Sequence, residues 1–471
     1  FGTVLLATIL ATVTPVPATH AASGDDDARR QELFPRPAEL APQVRFWRAV
    51  FAEYSSHQVV LHDALHLDKV YKVLDLRPRG DGEDGAGQVS RLERIDADLE
   101  LERVRATLLR LHALGPHPEG LTDDERAVYD LFQDDPAPDR FLAAADSKRL
   151  RSQRGLRERF GEGIRMSRRY LPEMERIFRE HGVPVELTRV PLIESCFNLH
   201  AYSKVGAAGI WQFMPATGRL FMRVDNLVDE RRDPIAATRA AARFLDQMHD
   251  HLDTWPLTIT AYNHGPEGMA RAVRETGSTD IATIVHEYRG RAFGFASRNF
   301  YAEFLAALDI ESDYREHFGD LPLDSPLRAR EHRLERAVGI QTAARLAHTN
   351  ADELASLNPA LCRLITDGRR PIPAGYRLRV PESAASGFED RLAGVEPESQ
   401  VIRAAAPAPA HRPAARPPVV THRVRPGQTL SHIAKQHRVT VARLRGTNRI
   451  GRAEHLRPGQ VLRIPVPQTA M

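Results

Sequence analysis

From Ala404 to Val419 the chain is written almost wholly in Ala, Pro, Arg and His. Proline supplies no backbone donor, and neither alanine nor proline brings much apolar area to bury. Such a stretch forms an extended tether and cannot join a core. A chain of 471 residues interrupted in this way must divide into separate bodies. The chain as a whole is 42% hydrophobic and 27% charged, an ordinary globular balance.

Residues 395–420 are therefore read as a linker. Beyond them, residues 421–466 hold a small module with a strand from Thr421 to Val424, helices over Thr429–His437 and Val441–Arg445, and a strand from Gln460 to Pro465. The helix, helix, strand order recurs at Thr342–His348, Ala351–Leu357 and Tyr376–Pro381. Residues 330–382 are accordingly read as a degenerate copy of the same module. From residue 161 to residue 312 the pattern is helical nearly throughout: Gly163–His181, Pro184–Cys196, Pro215–Arg223, Pro234–His251, Trp255–Thr276 and Phe295–Leu308. Asp233-Pro234 places an acceptor at the N-cap and a proline in the first turn, where a missing N–H costs nothing. Residues 42–160 form a mixed helical region. A helix opens near Arg45, strands are expected at Gln58–His62 and Val70–Leu76, and a long amphipathic helix spans Arg91–Leu114. Residues 1–22, with an apolar run from Val4 to Leu10 and small residues at Ala21-Ala22, are read as a signal peptide,.

Cys196 and Cys362 are the only cysteines. This excludes a disulfide-rich scaffold and a Cys-based zinc site, and a lipoprotein is not expected, because acylation needs a cysteine at the mature N-terminus. Cys196 reads as a small buried hydrophobe in preference to a nucleophile. His62 and His66 are four apart but lack the glutamate of a metal-binding helix and fall partly in a strand,. No metal and no cofactor are expected.

Glu194 closes a short helix whose apolar positions are Val185, Leu187, Val190 and Ile193. Apolar neighbours and the negative end of the helix dipole both disfavour a carboxylate there, which raises its pKa. A carboxylic acid still protonated near neutral pH is what cleavage of a glycosidic bond needs. Downstream, Ser203 to Phe213 is a run of small residues leading into Ile210-Trp211-Gln212, where a backbone can approach a ligand closely and Gln212 can meet sugar hydroxyls or acetamido groups. Thr260-Ala261-Tyr262-Asn263-His264-Gly265 adds a phenol and an amide, and Ser297-Arg298-Asn299-Phe300-Tyr301 adds another tyrosine.

The order Glu-Ser, Gly-Ile-Trp-Gln-Phe-Met-Pro-Ala-Thr-Gly, Ala-Tyr-Asn-x-Gly and a late tyrosine resembles the soluble-lytic-transglycosylase (SLT) family of lysozyme-like enzymes. The resemblance spans roughly Met166 to Leu308. It implies that Glu194 is the single catalytic acid/base and that Ser203, Gln212, Tyr262, Asn263 and Tyr301 stand at substrate-binding positions. Trp211 and Cys196 depart from the residues common there. The implied reaction cleaves the MurNAc-GlcNAc bond of peptidoglycan and closes a 1,6-anhydromuramoyl ring. Asp225, Asp229 and Glu230 are the alternative second carboxylates, and one of them positioning a water would make the enzyme a muramidase. An inactive cell-wall-binding protein is the other alternative.

His422-Arg423-Val424-Arg425-Pro426-Gly427-Gln428-Thr429-Leu430 and the ending Leu456 to Pro465 resemble the LysM family. This implies a glycan-binding groove involving Gly427, Gln428, Thr429, Leu430, Asn448 and Ile450. The module carries ten basic residues, Arg423 to Arg463, against Glu454, a charge suited to an anionic wall; nucleic acid is not the expected partner. The whole resembles the membrane-bound lytic murein transglycosylase D branch, in which a catalytic domain precedes LysM repeats. The expected fold class is thus multidomain and mainly α, a lysozyme-like all-helical catalytic domain with small βααβ modules. The expected setting is periplasmic or wall-associated, with peptidoglycan glycan strands as the partner and no obligate protein partner.

Overall fold

A computed structural model describes residues 24–76, 91–394 and 419–465, except 426, 438, 449–455, 457 and 458. The expected signal peptide, nearly all of the linker and Ile450 lie outside the described residues. Contacts divide the chain into two compact units, the second comprising residues 398–471 with Arg369–Pro371. No helix among the described residues is long and apolar enough to cross a membrane.

The main core is helical. It gathers α1 (Ala41–Ala52), α3 (Arg157–Ser167), α4 (Leu171–Glu180), α5 (Val190–Ser195), α7 (Pro234–Leu252), α8 (Trp255–His264), α9 (Pro266–Thr276), α10 (Ile281–Glu287) and α11 (Phe295–Ser312). Helix α1 starts four residues before Arg45, with Pro42 in its first turn. It lies along α11, with Trp47 against Phe295, and the segment before it adds Phe34 against Phe304. The expected division at residue 160 is therefore not where packing divides.

A three-stranded antiparallel sheet explains why. Its order is β2 (Val70–Asp75), β1 (Gln58–Asp63), β3 (Leu150–Arg154). Alternate residues of β1 face opposite ways: Val60 enters the main core, while Val59 and Leu61 enter a satellite core beneath α2 (Arg91–Leu114). His62 shares the Val60 face, its ring tilted against Phe46 at 4.5 Å and Phe295 at 5.6 Å, and burial lowers its pKa to about 4. It is a core histidine. Strand β3 escapes sequence reading because Leu150-Arg-Ser-Gln-Arg154 has one apolar residue.

Three helices expected as continuous are broken, each at a proline. Gly163–His181 divides into α3 and α4 before Pro172, and Trp255–Thr276 divides at Gly265-Pro266. Pro184–Cys196 is a 3-10 turn, Val185–Arg189, followed by α5 with Pro191 in its first turn. In each case proline cannot donate to the preceding turn. Helix α10 was not expected.

Residues 329–393 build a second layer on the helical body. Strand β4 (Ala329–Arg333) pairs antiparallel with β5 (Arg377–Pro381) around α12 (Ile340–Leu346) and α13 (Ala351–Leu357), so this copy is also βααβ. Its opening strand, Ala-Arg-Glu-His-Arg, has no apolar alternation and is held by its pairing with β5 and by side-chain contacts such as Glu331 with Arg379. The C-terminal unit repeats the plan with β6 (Val419–Arg423), α14 (Leu430–Gln436), α15 (Val441–Asn448) and β7 (Val461–Pro465).

One asparagine clasps each copy. Asn358 donates to the carbonyls of Leu354 and Arg379, both at 2.8 Å, and accepts from the Arg379 N–H at 2.8 Å. Asn448 makes the same three bonds with Leu444 (2.8 Å) and Arg463 (2.7 Å each). The Asn448 amide, expected at a glycan-binding position, is thereby engaged with its own fold. Asn358→Ala leaves buried backbone groups unpaired and should cost on the order of 3 kcal/mol; a urea melt followed by tryptophan-independent circular dichroism checks this.

The first copy is joined to the catalytic body. Leu227–Asp229 pairs with its loop after α13: Asp229 N–H donates to Ala360 O at 2.8 Å and Cys362 N–H to Leu227 O at 2.9 Å. Val228 is fully buried in its core. The positions equivalent to Asn448–Ile450 are thus occupied by protein. Arg379 also reaches across, its buried guanidinium meeting both carboxylate oxygens of Asp233 (2.6 and 2.5 Å) and Glu331 at 3.2 Å.

Candidate active site

Glu194 occupies the penultimate position of α5, and the chain leaves that helix through two consecutive left-handed residues, Cys196 (φ 49°) and Phe197 (φ 55°). Gly163 permits this exit, since a Cβ there would lie 2.6 Å from the Cys196 carbonyl oxygen. Ser195 Oγ donates to Ile210 O at 3.0 Å, fastening the helix end to the loop that carries Gln212. Non-glycine residues in the left-handed region concentrate where a site demands a particular backbone, and Gln212 is another, at φ 49°.

The loop is built tightly. Gly209 sits at φ +74°, where a Cβ would be 1.8 Å from the Arg231 carbonyl oxygen. Buried Arg231 donates to Gly206 O (2.8 Å) and Phe213 O (3.0 Å) and forms a two-pronged pair with Asp229 (2.8 and 2.7 Å). Trp211 is fully buried, stacked on Phe178, its indole N–H on Thr238 Oγ1 at 2.9 Å. The tryptophan is a core anchor for this loop, not a sugar platform.

Tyr262 joins loop and helix, donating its hydroxyl to Trp211 O at 2.8 Å. Rings of Trp211, Phe213, Phe244 and Phe300 surround it at 5.8–6.5 Å. Burial, and then the Glu194 carboxyl, raise its pKa well above the usual phenol value. Glu194 is half-buried and makes no hydrogen bond or ion pair among the described residues. Burial pushes its carboxyl up to about 8, so it is mostly protonated at neutral pH, as expected from its apolar helix. Cys196 is likewise raised, to about 11, by burial, and is no thiolate nucleophile.

The remaining expected residues divide. Gln212 donates to Gly209 O at 2.7 Å and keeps its amide oxygen open. Asn263 is exposed, its oxygen accepting from Ser297 Oγ at 2.9 Å, which leaves its NH₂ to face outward. Ser203 Oγ accepts from Ala207 N–H at 2.8 Å and shapes the small-residue turn. Tyr301, also expected at a substrate-binding position, is 1% exposed and donates to Pro35 O at 2.8 Å, tying α11 to the N-terminal segment. Asp225, Asp229 and Glu230 are engaged with Arg223, Arg231 and nearby backbone N–H groups, and none has Glu194 as a partner.

Glu303, one turn beyond Phe300 on α11, was not singled out in the sequence. Burial, and then Glu194 itself, push its carboxyl up to about 8. The available signal was a lone acid between Ala302 and Phe304 in an otherwise apolar helix segment.

In the C-terminal module, Gly427 (φ +78°) is exposed, and Gln428 Oε1 accepts from Arg425 N–H (2.9 Å) and His422 Nε2 (3.0 Å). Thr429 N-caps α14, accepting from His432 N–H, and Leu430 packs on the small core. Side chains of Gln428 and Thr429 therefore shape the loop, which leaves its backbone and the Leu430 edge to a ligand.

Family comparisons agree with this layout. The transglycosylase SLT domain model matches residues 175–285, and the LysM domain model matches residues 422–465. Membrane-bound lytic murein transglycosylase D of Escherichia coli (strain K12) is 28% identical over 300 residues, covering 62% of this chain and 62% of that protein. The chain thus spans under two thirds of that relative's length. An Alteromonas sp. protein named for tributyltin chloride resistance is 40% identical over 96 residues, 20% of this chain and 46% of its own. Among solved structures, a lytic transglycosylase Slt from Pseudomonas aeruginosa aligns with 20% identity and TM-score 0.27, covering 50% of this chain and 36% of that one. The chain is thus similar to the transglycosylase SLT domain over residues 175–285, to the LysM domain over residues 422–465, and to membrane-bound lytic murein transglycosylase D over 300 residues.

Proposed function

We propose that the protein is a peptidoglycan lytic transglycosylase that cleaves the MurNAc-GlcNAc β-1,4 bond and leaves 1,6-anhydromuramoyl ends, with its LysM module holding it on the glycan. The observation that carries this reading is the half-buried Glu194, its carboxyl pushed up to about 8 by burial, beside a loop pinned by Ser195, Tyr262 and Arg231. Glu194 gives its proton to the bridging oxygen, and the bond from that oxygen to the muramoyl C1 breaks. The neighbouring 2-acetamido group stabilises the positive charge at C1, so no carboxylate nucleophile is needed. Glu194, now ionised, takes the proton of the muramoyl C6 hydroxyl as that oxygen bonds to C1. The acid is regenerated and water is not consumed.

In this reading Gln212 and Asn263 contact the sugars through their open amide groups, and the turn held by Ser203 lets the backbone approach. Peptidoglycan places the work in the periplasm or cell wall. Tethering a glycan-binding module to the cutting domain raises the local substrate concentration. Mass spectrometry of muropeptides released from purified sacculi should find 1,6-anhydro ends; reducing ends in their place would mean a hydrolytic muramidase and would overturn the proposal.

A further inference from the structure

A cavity of about 400 Å³ lies between α1, the turn after β1, α10 and the start of α11, and Glu194 is not among its lining residues. Its volume is in the range of small-ligand pockets. Leu65, Leu67 and Val285 form an apolar wall, and Arg289, Arg298 and Asn299 supply polar groups. Among the described residues no Asp or Glu lines it, and no Phe, Tyr or Trp does.

The turn that forms one rim is held from below. Buried Asp63 accepts from the Leu65 and His66 N–H groups at 2.8 and 3.1 Å, and Arg149 pairs with its other oxygen at 2.9 and 2.5 Å. Leu65 is 51% exposed at this rim, whereas Leu67 is buried. Two guanidiniums converge on one carbonyl. Arg298 donates to Val285 O and, at 2.7 Å, to Tyr288 O; Arg289 donates to His286 O and reaches the same Tyr288 oxygen at 3.4 Å. Carbonyls orient both, and neither has an ion pair among the described residues. Asn299 is 2% exposed; its Nδ2 donates to Phe295 O at 2.9 Å, and its Oδ1 has no hydrogen-bond partner among the described residues. A buried acceptor without a donor is costly and uncommon. The Asn299 oxygen is therefore a place for a donor from outside the chain.

This lining calls for three features in one molecule: a carboxylate for the two guanidiniums, an N–H for the Asn299 oxygen, and small apolar groups for the Leu67 and Val285 wall. A neutral sugar lacks the carboxylate, and a simple anion lacks the N–H and the apolar groups. A short acidic peptide has all three. We propose that the cavity binds an acidic peptide, the stem that peptidoglycan carries on its glycan strand; naming the stem rests on the reading of peptidoglycan as substrate. Reach agrees with this. Ser297, which holds Asn263, is followed directly by Arg298 and Asn299 at the start of α11, so the amide assigned to the sugar and the cavity lie on different sides of one helix end. A helix with its side chains is about 10–12 Å across, and four extended peptide residues span about 13 Å.

Leu65→Glu and Arg289→Gln test the site from two separate segments, and both residues are exposed, so neither change disturbs a core. In a ligand-observed NMR titration of the full chain with the dipeptide L-Ala-γ-D-Glu, the wild type should bind, and each variant should bind about tenfold more weakly, the loss expected for one charge-assisted contact. Turnover supplies a second readout. On sacculi, KM should rise about tenfold in each variant with kcat unchanged, while on glycan strands stripped of peptide by an amidase both variants should match the wild type. No dipeptide binding by the wild type, or equal losses on the two substrates, overturns the proposal. A wild type that cleaves neither substrate, or that releases reducing ends, defeats the parent reading alone, and the titration still decides whether the cavity takes an acidic peptide.

Discussion

Glu194→Gln should reduce release of soluble muropeptides from sacculi by about 10²- to 10⁴-fold, the range expected on removing a positioned general acid, while sedimentation with sacculi is unchanged. Glutamine keeps the shape and the uncharged state that the enclosed site favours. It removes only the transferable proton, so cleavage and binding should separate. The same variant should be more stable than the parent. The folded carboxyl holds its proton up to about pH 8, whereas in the unfolded chain it ionises near its ordinary value. Below that value both states are protonated and no difference exists. As pH rises toward 8 the unfolded state alone gains charge, so the wild type loses stability across that window. The gain in melting temperature for Glu194→Gln should therefore be near zero at pH 4 and grow toward pH 8, by about 2–4 °C for each kcal/mol recovered. An equal gain at all pH values would contradict the raised pKa.

Arg379→Met should destabilise the body formed by the catalytic domain and the first βααβ copy by about 3–5 kcal/mol, because it strands buried carboxylates that the guanidinium now pairs. Asp233 and Arg379 are each 4% exposed in their side chains, so solvent does little to screen the loss. Asp233 also N-caps α7, accepting from Ile235 and Ala236 N–H groups at 3.0 and 2.9 Å. Asparagine retains that capping acceptor. The double variant Asp233→Asn/Arg379→Met should thus recover much of the loss, and chemical denaturation of both variants and the parent measures the coupling. Equal losses in the single and double variants would show that the ion pair is not what joins the two layers.

The parts of this fold that sequence makes legible are those with strong periodic burial or special chemistry. Helices α2 and α7 carry long apolar repeats, and the Asp233-Pro234 start of α7 is where it was expected. Strands β3 and β4 are silent because Arg, Glu, Ser and Gln dominate them and their partners supply the order. Prolines 172, 191 and 266 were visible, but whether each opens a new helix or sits within one depends on tertiary packing. At the site, Glu194, Gln212, Tyr262 and Asn263 stand in recognisable local motifs. Glu303 does not, since its meaning comes from a helix more than a hundred residues away in sequence from Glu194. Tyr301 and Asn448 mislead in the opposite sense: residues of a ligand-contacting type whose polar atoms the fold itself uses.

Arg231 has a wider reach than its place beneath the Gln212 loop suggests. It holds Gly206 and Phe213 on one side and Asp229 on the other, and the Asp229 backbone bonds to Ala360 of the first βααβ copy. The Gln212 loop and the seam that seats the copy are therefore one connected network. Linkage is reciprocal in free energy: to whatever extent the seated copy orders that loop for a glycan, a bound glycan tightens the seat of the copy by the same factor.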